Sequence, residues 1–364
     1  MMFMRSDFLS HSDAALRNRN SVLHYIRYHD NISRTDIWEG MNISRASVTQ
    51  VIRQLQDGNL IREVGEGKST GGRKPTYIMF NGEVKKLYIF DWTHKTLYLT
   101  DLDGHILHEE TLLFNKKVRP DVFGAALLER IQVIDGMHLC DLGEVIGIGL
   151  AMPGLVDSRG CVVIHSVELG WQNVSLQDLL GDRFGENIYL ERIGNAMALG
   201  AYYHGRHRET NHFQLFIAGH DGIGMSTIIH GNCQHGAGCM HGELGHIKLN
   251  SDEVCSCGQR GCLEAVVSRA LANSGGKLTY EIMDLLAIGI STGINISDPD
   301  AIMMVGSFIN QMSEGQKKYL ETAIHERVTG KHMRKLDIAF SSETKVIALD
   351  GMIDHVFNRY FAVE

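Results

Sequence analysis

His246 is followed by the run Cys255-Ser256-Cys257-Gly258-Gln259-Arg260-Gly261-Cys262, and this spacing constrains the fold more than any other stretch. Three thiolates and one imidazole make the closed, tetrahedral ligand set of a structural zinc site. Gly258 and Gly261 permit the tight backbone reversal that converging sulfurs need. Four borderline-soft ligands leave no open position for water, so the ion organises a loop and does no chemistry. The opposing reading, three unrelated buried thiols, fits poorly with glycine and polar neighbours. The expectation is one Zn2+ held by His246, Cys255, Cys257 and Cys262.

The chain has 364 residues, enough for more than one compact unit. No stretch is apolar and long enough to cross a bilayer, and no charged-then-apolar export signal opens the sequence. Of seven cysteines the metal motif takes three, leaving Cys140, Cys161, Cys233 and Cys239. These read as reduced thiols of a cytoplasmic protein without membrane insertion. The net charge of -8 is unevenly spread: residues 1–80 carry 11 Lys+Arg against 8 Asp+Glu, so the remainder is strongly acidic. A basic head on an acidic body fits a chain whose head alone meets nucleic acid.

Within residues 1–80 the pattern is three helices and a hairpin. A first helix around Leu16 to His29 places Val22, Leu23 and Ile26 on one side. Ser33-Arg34-Thr35-Asp36 has the form of a capping box opening a short second helix, which Gly40 ends. Ser44 caps a third helix whose Val48, Val51, Ile52 and Leu55 fall at i, i+3, i+4 and i+7. A strand begins at Leu60. This is the order of a winged helix-turn-helix, with the third helix entering the major groove. Arg45, Ser47 and Gln50 are the base-edge candidates, since Arg pairs bidentately with guanine and Gln with adenine. Arg53 lies one turn further on, within reach of phosphate. In the wing, Arg73 and Lys74 follow two glycines and suit backbone or minor-groove contact. A protein-binding three-helix module is the competing reading, but it gives a basic glycine-rich wing no purpose.

From residue 81 to 364 the sequence changes to strands and crossover helices. Leu87–Asp91, Thr96–Thr100 and the apolar run Val145–Leu150 read as strands, with others at 187–191, 213–218 and 224–229. The body is mixed α/β with two lobes. Three motifs, Ala151-Met152-Pro153-Gly154-Leu155-Val156-Asp157, Gly242-Glu243-Leu244-Gly245-His246 and the cysteine run ending at Glu264, resemble the ROK family. Its members are sugar kinases or transcriptional repressors with an added winged helix. The resemblance covers nearly the whole chain. It implies a two-lobed, actin-like (ribonuclease-H-type) domain, a zinc loop, a homodimer or tetramer, and sugar-hydroxyl contacts at Glu243, His246 and Glu264.

Departures from the family pattern carry as much information as the matches. The kinases open with Asp-x-Gly-Gly-Thr, whose slim turn admits ATP phosphates; here the run is Asp91-Trp92-Thr93-His94. Their Glu-Asn-Asp segment supplies the general base; here it reads Glu191-Arg192-Ile193, and isoleucine accepts no proton. A third glycine-rich turn is reduced to Met304-Val305-Gly306-Ser307-Phe308. Loss of the base together with two phosphate turns predicts a body without phosphoryl transfer.

The remaining site reads as a degenerate sugar pocket: Glu243, His246 and Glu264 are kept, while Glu168 and Arg192 stand where the family pattern has asparagines. Arg192 there meets a phosphate or carboxylate on a sugar or sugar phosphate, or else pairs with Glu191 or Glu168 and sees no ligand. The expected protein is a repressor of carbohydrate uptake or utilisation genes, bound as a symmetric oligomer to palindromic double-stranded DNA. The alternatives are a sugar kinase with a DNA-binding head, or an adaptor whose body docks a transport protein. Cys233, His235, Cys239 and His241 supply the residue types of a second metal site, although their spacing matches no defined turn.

Overall fold

The computed structural model describes residues 11–29, 31–66, 76–330, 332 and 336–362. The head opens with α1 (His11–Arg27), followed by β1 (Ile32–Ser33), α2 (Arg34–Gly40), α3 (Arg45–Asp57), β2 (Ile61–Glu66) and β3 (Thr76–Phe80). Local chemistry sets the helix starts. Ser33 and Asp36 form a reciprocal capping box at α2, and the Ser44 hydroxyl accepts from Ser47 N–H at α3. Val48, Val51, Ile52 and Leu55 are buried, as their spacing requires. The strand pair of the wing is joined by a third, two-residue strand, giving the order β1-β3-β2. The wing tip, with Arg73 and Lys74, lies outside the described residues.

Two lobes follow. The first contains β4 (Lys86–Asp91), β5 (Thr96–Asp101), β6 (Ile106–Thr111), α4 (Pro120–Asp135), β7 (Val145–Met152), β8 (Leu155–Asp157), β9 (Val162–Ser166), β10 (Trp171–Ser175), α5 (Leu176–Phe184), β11 (Ile188–Arg192) and α6 (Ile193–Tyr203). The second contains β12 (His212–Gly219), β13 (Gly222–Ile229), β14 (Asn232–Cys233), α7 (Leu263–Asn273), α8 (Tyr280–Ser297), β15 (Ala301–Val305), α9 (Ser307–Gln311), α10 (Glu314–Arg327) and β16 (Asp337–Phe340). The chain then returns to the first lobe through α11 (Thr344–Tyr360).

Each lobe has a five-stranded sheet of the same plan. The orders are β11-β7-β4-β5-β6 and β14-β13-β12-β15-β16. In both, an antiparallel three-stranded meander is extended by two parallel strands. This duplicated plan is the two-lobed, ribonuclease-H-type architecture expected from the sequence, and it puts the ends of β11 and β13 beside the cleft.

Helix α11 is the mechanical centre. It crosses α6 so closely that a Cβ on Gly351 would lie 1.7 Å from the Ala196 carbonyl oxygen, and one on Gly200 2.0 Å from that of Ile347. Only glycine permits such backbone contact. Residues Ala348 to Phe357 are buried almost throughout, although Asp354 and His355 are polar. On its other side α11 packs against the head: Leu23, Ile26 and Phe80 share one apolar cluster with Met352, Ile353 and Phe357. Head and body are thus continuous through a common core.

Candidate functional site

Four observations build the site, beginning with the exposed face of α3. Burial of the four aliphatic positions leaves Arg45, Ser47, Gln50 and Arg53 exposed together. The Arg45 guanidinium lies 4.5 Å from the centroid of the Trp38 ring in α2, which fixes its approach. Ser47 takes part in the cap, its hydroxyl 2.8 Å from that of Ser44. Gln50 and Arg53 project from the following turns. The face is contiguous and polar, as insertion into a groove requires.

The second is the cysteine loop. Ligand atoms of His246, Cys255, Cys257 and Cys262 lie within 4.8 Å of one another. His246 Nδ1 is 3.6 Å from Cys255 Sγ, and Cys257 Sγ is 3.7 Å from Cys262 Sγ. A tetrahedron with metal–sulfur bonds of about 2.3 Å has an edge of about 3.8 Å, so the spacing fits a metal ion. Gly258 and Gly261 both take positive φ, and a Cβ on Gly261 would sit 2.6 Å from the Leu249 carbonyl oxygen. The Lys248 ammonium donates to Cys262 Sγ at 2.9 Å.

Third, the other nitrogen of His246 faces the cleft. Its Nε2 is 3.6 Å from Glu243 Oε2, the carboxylate–imidazole arrangement that orients metal-binding histidines. Glu243 Oε1 in turn accepts from Arg192 Nη1 at 2.7 Å. The same guanidinium donates through Nη2 to the carbonyl oxygens of His241 and Met225, at 2.8 and 3.3 Å. Arg192 therefore spans from the end of β11 in the first lobe to the metal-loop side of the second. This corrects the expectation that without a ligand it would pair with Glu191 or Glu168: only its backbone N–H reaches Glu191, at 2.7 Å. Of the five pocket candidates, Arg192, Glu243 and His246 come together. Glu264 accepts from Ile223 N–H at 3.0 Å, and Glu168 accepts from Trp92 Nε1 at 2.9 Å.

Comparison with known proteins decides what this arrangement belongs to. Residues 92–277 match the ROK family and residues 17–63 the MarR family. The chain belongs to the ROK family. A putative xylose repressor of Caldicellulosiruptor sp. is 27% identical, covering 88% of this chain and 91% of its own. The DNA-binding transcriptional dual regulator NagC of Escherichia coli is 29% identical over 77% of this chain and 68% of its own. Among solved structures, a ROK family transcriptional regulator, a homolog of the E. coli MLC protein, superposes with a TM-score of 0.79. It is 20% identical and covers 96% of this chain and 98% of its own, so it shares the fold from head to body.

Fourth, the segments that depart from the kinase sequence pattern are packed among their own neighbours. Trp92 is buried in the core of the first lobe, stacks on Phe114 and donates to Glu168. Asp91 is occupied by its neighbours, accepting from Thr93 N–H at 2.8 Å and lying 2.6 Å from His94 Nδ1. In the second lobe His220 packs edge-on to Phe308, and Ser307 Oγ accepts from His220 N–H at 3.0 Å. Ile193 packs into apolar clusters at the start of α6, with no proton acceptor to offer.

Two polar groups escaped the sequence reading. Asp354 and His355 are consecutive, buried residues of α11. Two polar residues set between Met352-Ile353 and Val356-Phe357 were the available signal.

Proposed function

We propose that this protein is a DNA-binding transcriptional regulator, a repressor of carbohydrate uptake or utilisation genes, whose ROK body has no phosphoryl-transfer activity. The observation that carries the reading is the replacement of catalytic parts by other side chains: Thr93 and His94 at the glycines of the first phosphate turn, with His94 held on Asp91, Ile193 at the base position, and Arg192 across the cleft. A kinase works by positioning phosphates and accepting a hydroxyl proton, and neither group is supplied. The exposed α3 face and the named repressors among its relatives support DNA as the partner.

In this reading Arg45, Ser47 and Gln50 read base edges, while Arg53, Arg73 and Lys74 contact the backbone of a palindromic operator bound by a homodimer or tetramer in the cytoplasm. A structural Zn2+ on His246, Cys255, Cys257 and Cys262 holds the loop that presents Glu243. The effector is a sugar or sugar phosphate whose hydroxyls meet Glu243, Glu264 and Glu168. An anionic group on it competes with Glu243 for Arg192. Selection of sites from a random DNA pool with full-length protein, followed by release with sugars and their phosphates, tests the whole. Recovery of a palindrome that a ligand releases supports it. ATP-dependent phosphorylation of a hexose would replace it with a kinase, and DNA binding insensitive to ligands but altered by a transport protein would favour an adaptor.

A further inference from the structure

The segment after β13 was notable for Cys233, His235, Cys239 and His241, and the fold divides them. His241 Nε2 pairs with Thr227 Oγ1 at 2.9 Å. Cys233 and His235 instead meet a residue of the other lobe, Glu191, and one ligand atom from each of the three lies within 4.8 Å of the others. The set joins the lobes: Glu191 is in β11, while Cys233 closes β14 and His235 follows it.

Glu191 is prepared for such a role. It has no exposed surface. Its Oε1 accepts from Arg192 N–H at 2.7 Å and from Asn195 Nδ2 at 2.8 Å, which fixes the carboxylate plane. Its Oε2 is left to His235 Nε2 at 2.7 Å, with His355 Nδ1 at 3.7 Å from the same oxygen. The other nitrogen of His355 is buried and has no hydrogen-bond partner among the described residues. Outer partners that orient a ligand in this way accompany metal sites.

We propose that Glu191, Cys233 and His235 form a second, inter-lobe metal site for a borderline-soft divalent cation of the zinc class. One thiolate, one imidazole and one carboxylate give three protein ligands and leave a fourth position for water or a ligand group. Sulfur and nitrogen donors disfavour magnesium and calcium, which take oxygen. The ion takes the Cys233 sulfur as thiolate, releasing the thiol proton to solvent, and takes His235 as neutral imidazole, so that the His235–Glu191 hydrogen bond gives way to bonds from both groups to the metal. The ion pins β11 to β14 one residue from Arg192, so its occupancy would set the separation of the two cleft walls.

The test is a count of cobalt equivalents on the full-length, chelator-stripped protein, titrated with Co2+ alone and followed by thiolate-to-cobalt absorption. Wild type is expected to bind two equivalents, Cys233→Ser and His235→Gln one each, and Cys239→Ser two. Cys257→Ser should lose the other equivalent, so failure at the cysteine loop is distinguishable from failure here. A second equivalent retained by the Cys233→Ser/His235→Gln double variant overturns the site. So does wild type binding a single equivalent that Cys257→Ser abolishes.

Discussion

Arg27 Nη2 of the head lies 3.0 Å from Asp354 Oδ1 of α11, and both side chains are almost wholly excluded from water. Tyr28 donates to the same oxygen at 3.1 Å, and His204, at the end of α6, approaches Oδ2 at 2.8 Å. Arg27 Nη1 also donates to the Leu102 carbonyl at 2.7 Å. One carboxylate thus joins the DNA-reading head, the first lobe and the helix that closes the body. The next residue, His355, faces Glu191, and Arg192 follows Glu191 to the cleft. Contacts run without a gap from α1 to the Glu243–His246 pair.

Replacing Asp354 with alanine leaves Arg27 buried and uncompensated. Breaking a buried pair in this way costs about 3–5 kcal/mol. We expect Asp354→Ala to lower stability by that order and to expose the α1–α11 junction to protease. The Arg27→Met/Asp354→Leu double variant should recover part of the loss, since it removes the buried guanidinium together with its carboxylate and leaves His204, which is partly exposed, to be solvated. Denaturant unfolding of the three variants measures it, and equal losses in single and double variants would contradict the assignment.

The junction also has a pH window. Burial pushes the Asp354 carboxyl up, but the His204 hydrogen bond and the Arg27 charge outweigh it and hold the group below its usual range. Its contribution is therefore present above the unfolded value of about 4 and lost as pH falls further. The hydrogen bond to Asp354 raises His204 against burial. That contribution is complete below the unfolded value of about 6.5 and fades as pH rises through the folded one. The two overlap between about pH 4 and 6.5. The thermal midpoint of wild type should exceed that of His204→Gln most near pH 6, with the gap closing as pH rises above about 6.5 and through the raised folded value. A gap independent of pH over that range would remove the ionic role of His204.

At the cysteine loop, Cys257→Ser should lose bound zinc and destabilise the second lobe, because a structural ion contributes its binding free energy to folding. Elemental analysis alongside thermal unfolding checks both. Full metal content in a Cys255→Ser/Cys262→Ser variant would exclude the site.

Much of this was legible because short-range chemistry and periodicity decided it. Ser33 and Ser44 announce their helices through caps, and the spacing of Val48, Val51, Ile52 and Leu55 fixes which face of α3 is exposed. The four metal-loop ligands are close in sequence and are turned by their own glycines. What was not legible depends on pairs far apart in the chain. Nothing local tells Arg192 to choose Glu243, 51 residues on, over Glu191 beside it. Nor does the composition of α1 show that Arg27 finds Asp354 after 327 residues. Cys233 and His235 look unpaired until β11 and β14 are folded against each other.

On DNA, Gln50→Ala should relax specificity at one operator position at a cost of about 1–3 kcal/mol. Arg45→Ala should do the same, with a further loss from freeing Trp38, on which its guanidinium stacks. The Arg73→Ala/Lys74→Ala variant should instead weaken binding to every sequence and flatten the salt dependence, as removal of phosphate contacts does. Binding isotherms on matched and mismatched sites at two salt concentrations separate the two behaviours. Unchanged binding of the wing variant at both salts would leave the wing without a role.

The last prediction concerns the cleft. Ile193→Asp places a carboxylate at the proposed base position but should not give phosphorylation, because Thr93 and His94 stand where the first phosphate turn has its glycines and Val305-Gly306-Ser307 lacks the glycine pair of the other. Effector binding should accordingly be independent of ATP and magnesium. Arg192 is paired with Glu243 at 2.7 Å, so the anionic group of a sugar phosphate must take the place of that carboxylate. Removing the guanidinium with Arg192→Ala deletes a charged hydrogen bond worth about 1.5–3 kcal/mol. It should weaken a sugar phosphate about 10- to 150-fold. The same variant frees Glu243 for hydroxyl groups and should spare or improve neutral sugars, whereas Glu243→Ala should weaken both. Isothermal titration of wild type and the three variants against sugars, sugar phosphates and ATP reads all of these. Micromolar ATP binding by wild type would return the body to the kinases. Equal losses for neutral and anionic ligands in Arg192→Ala would give Arg192 a structural role in joining the lobes, with no part in choosing the ligand.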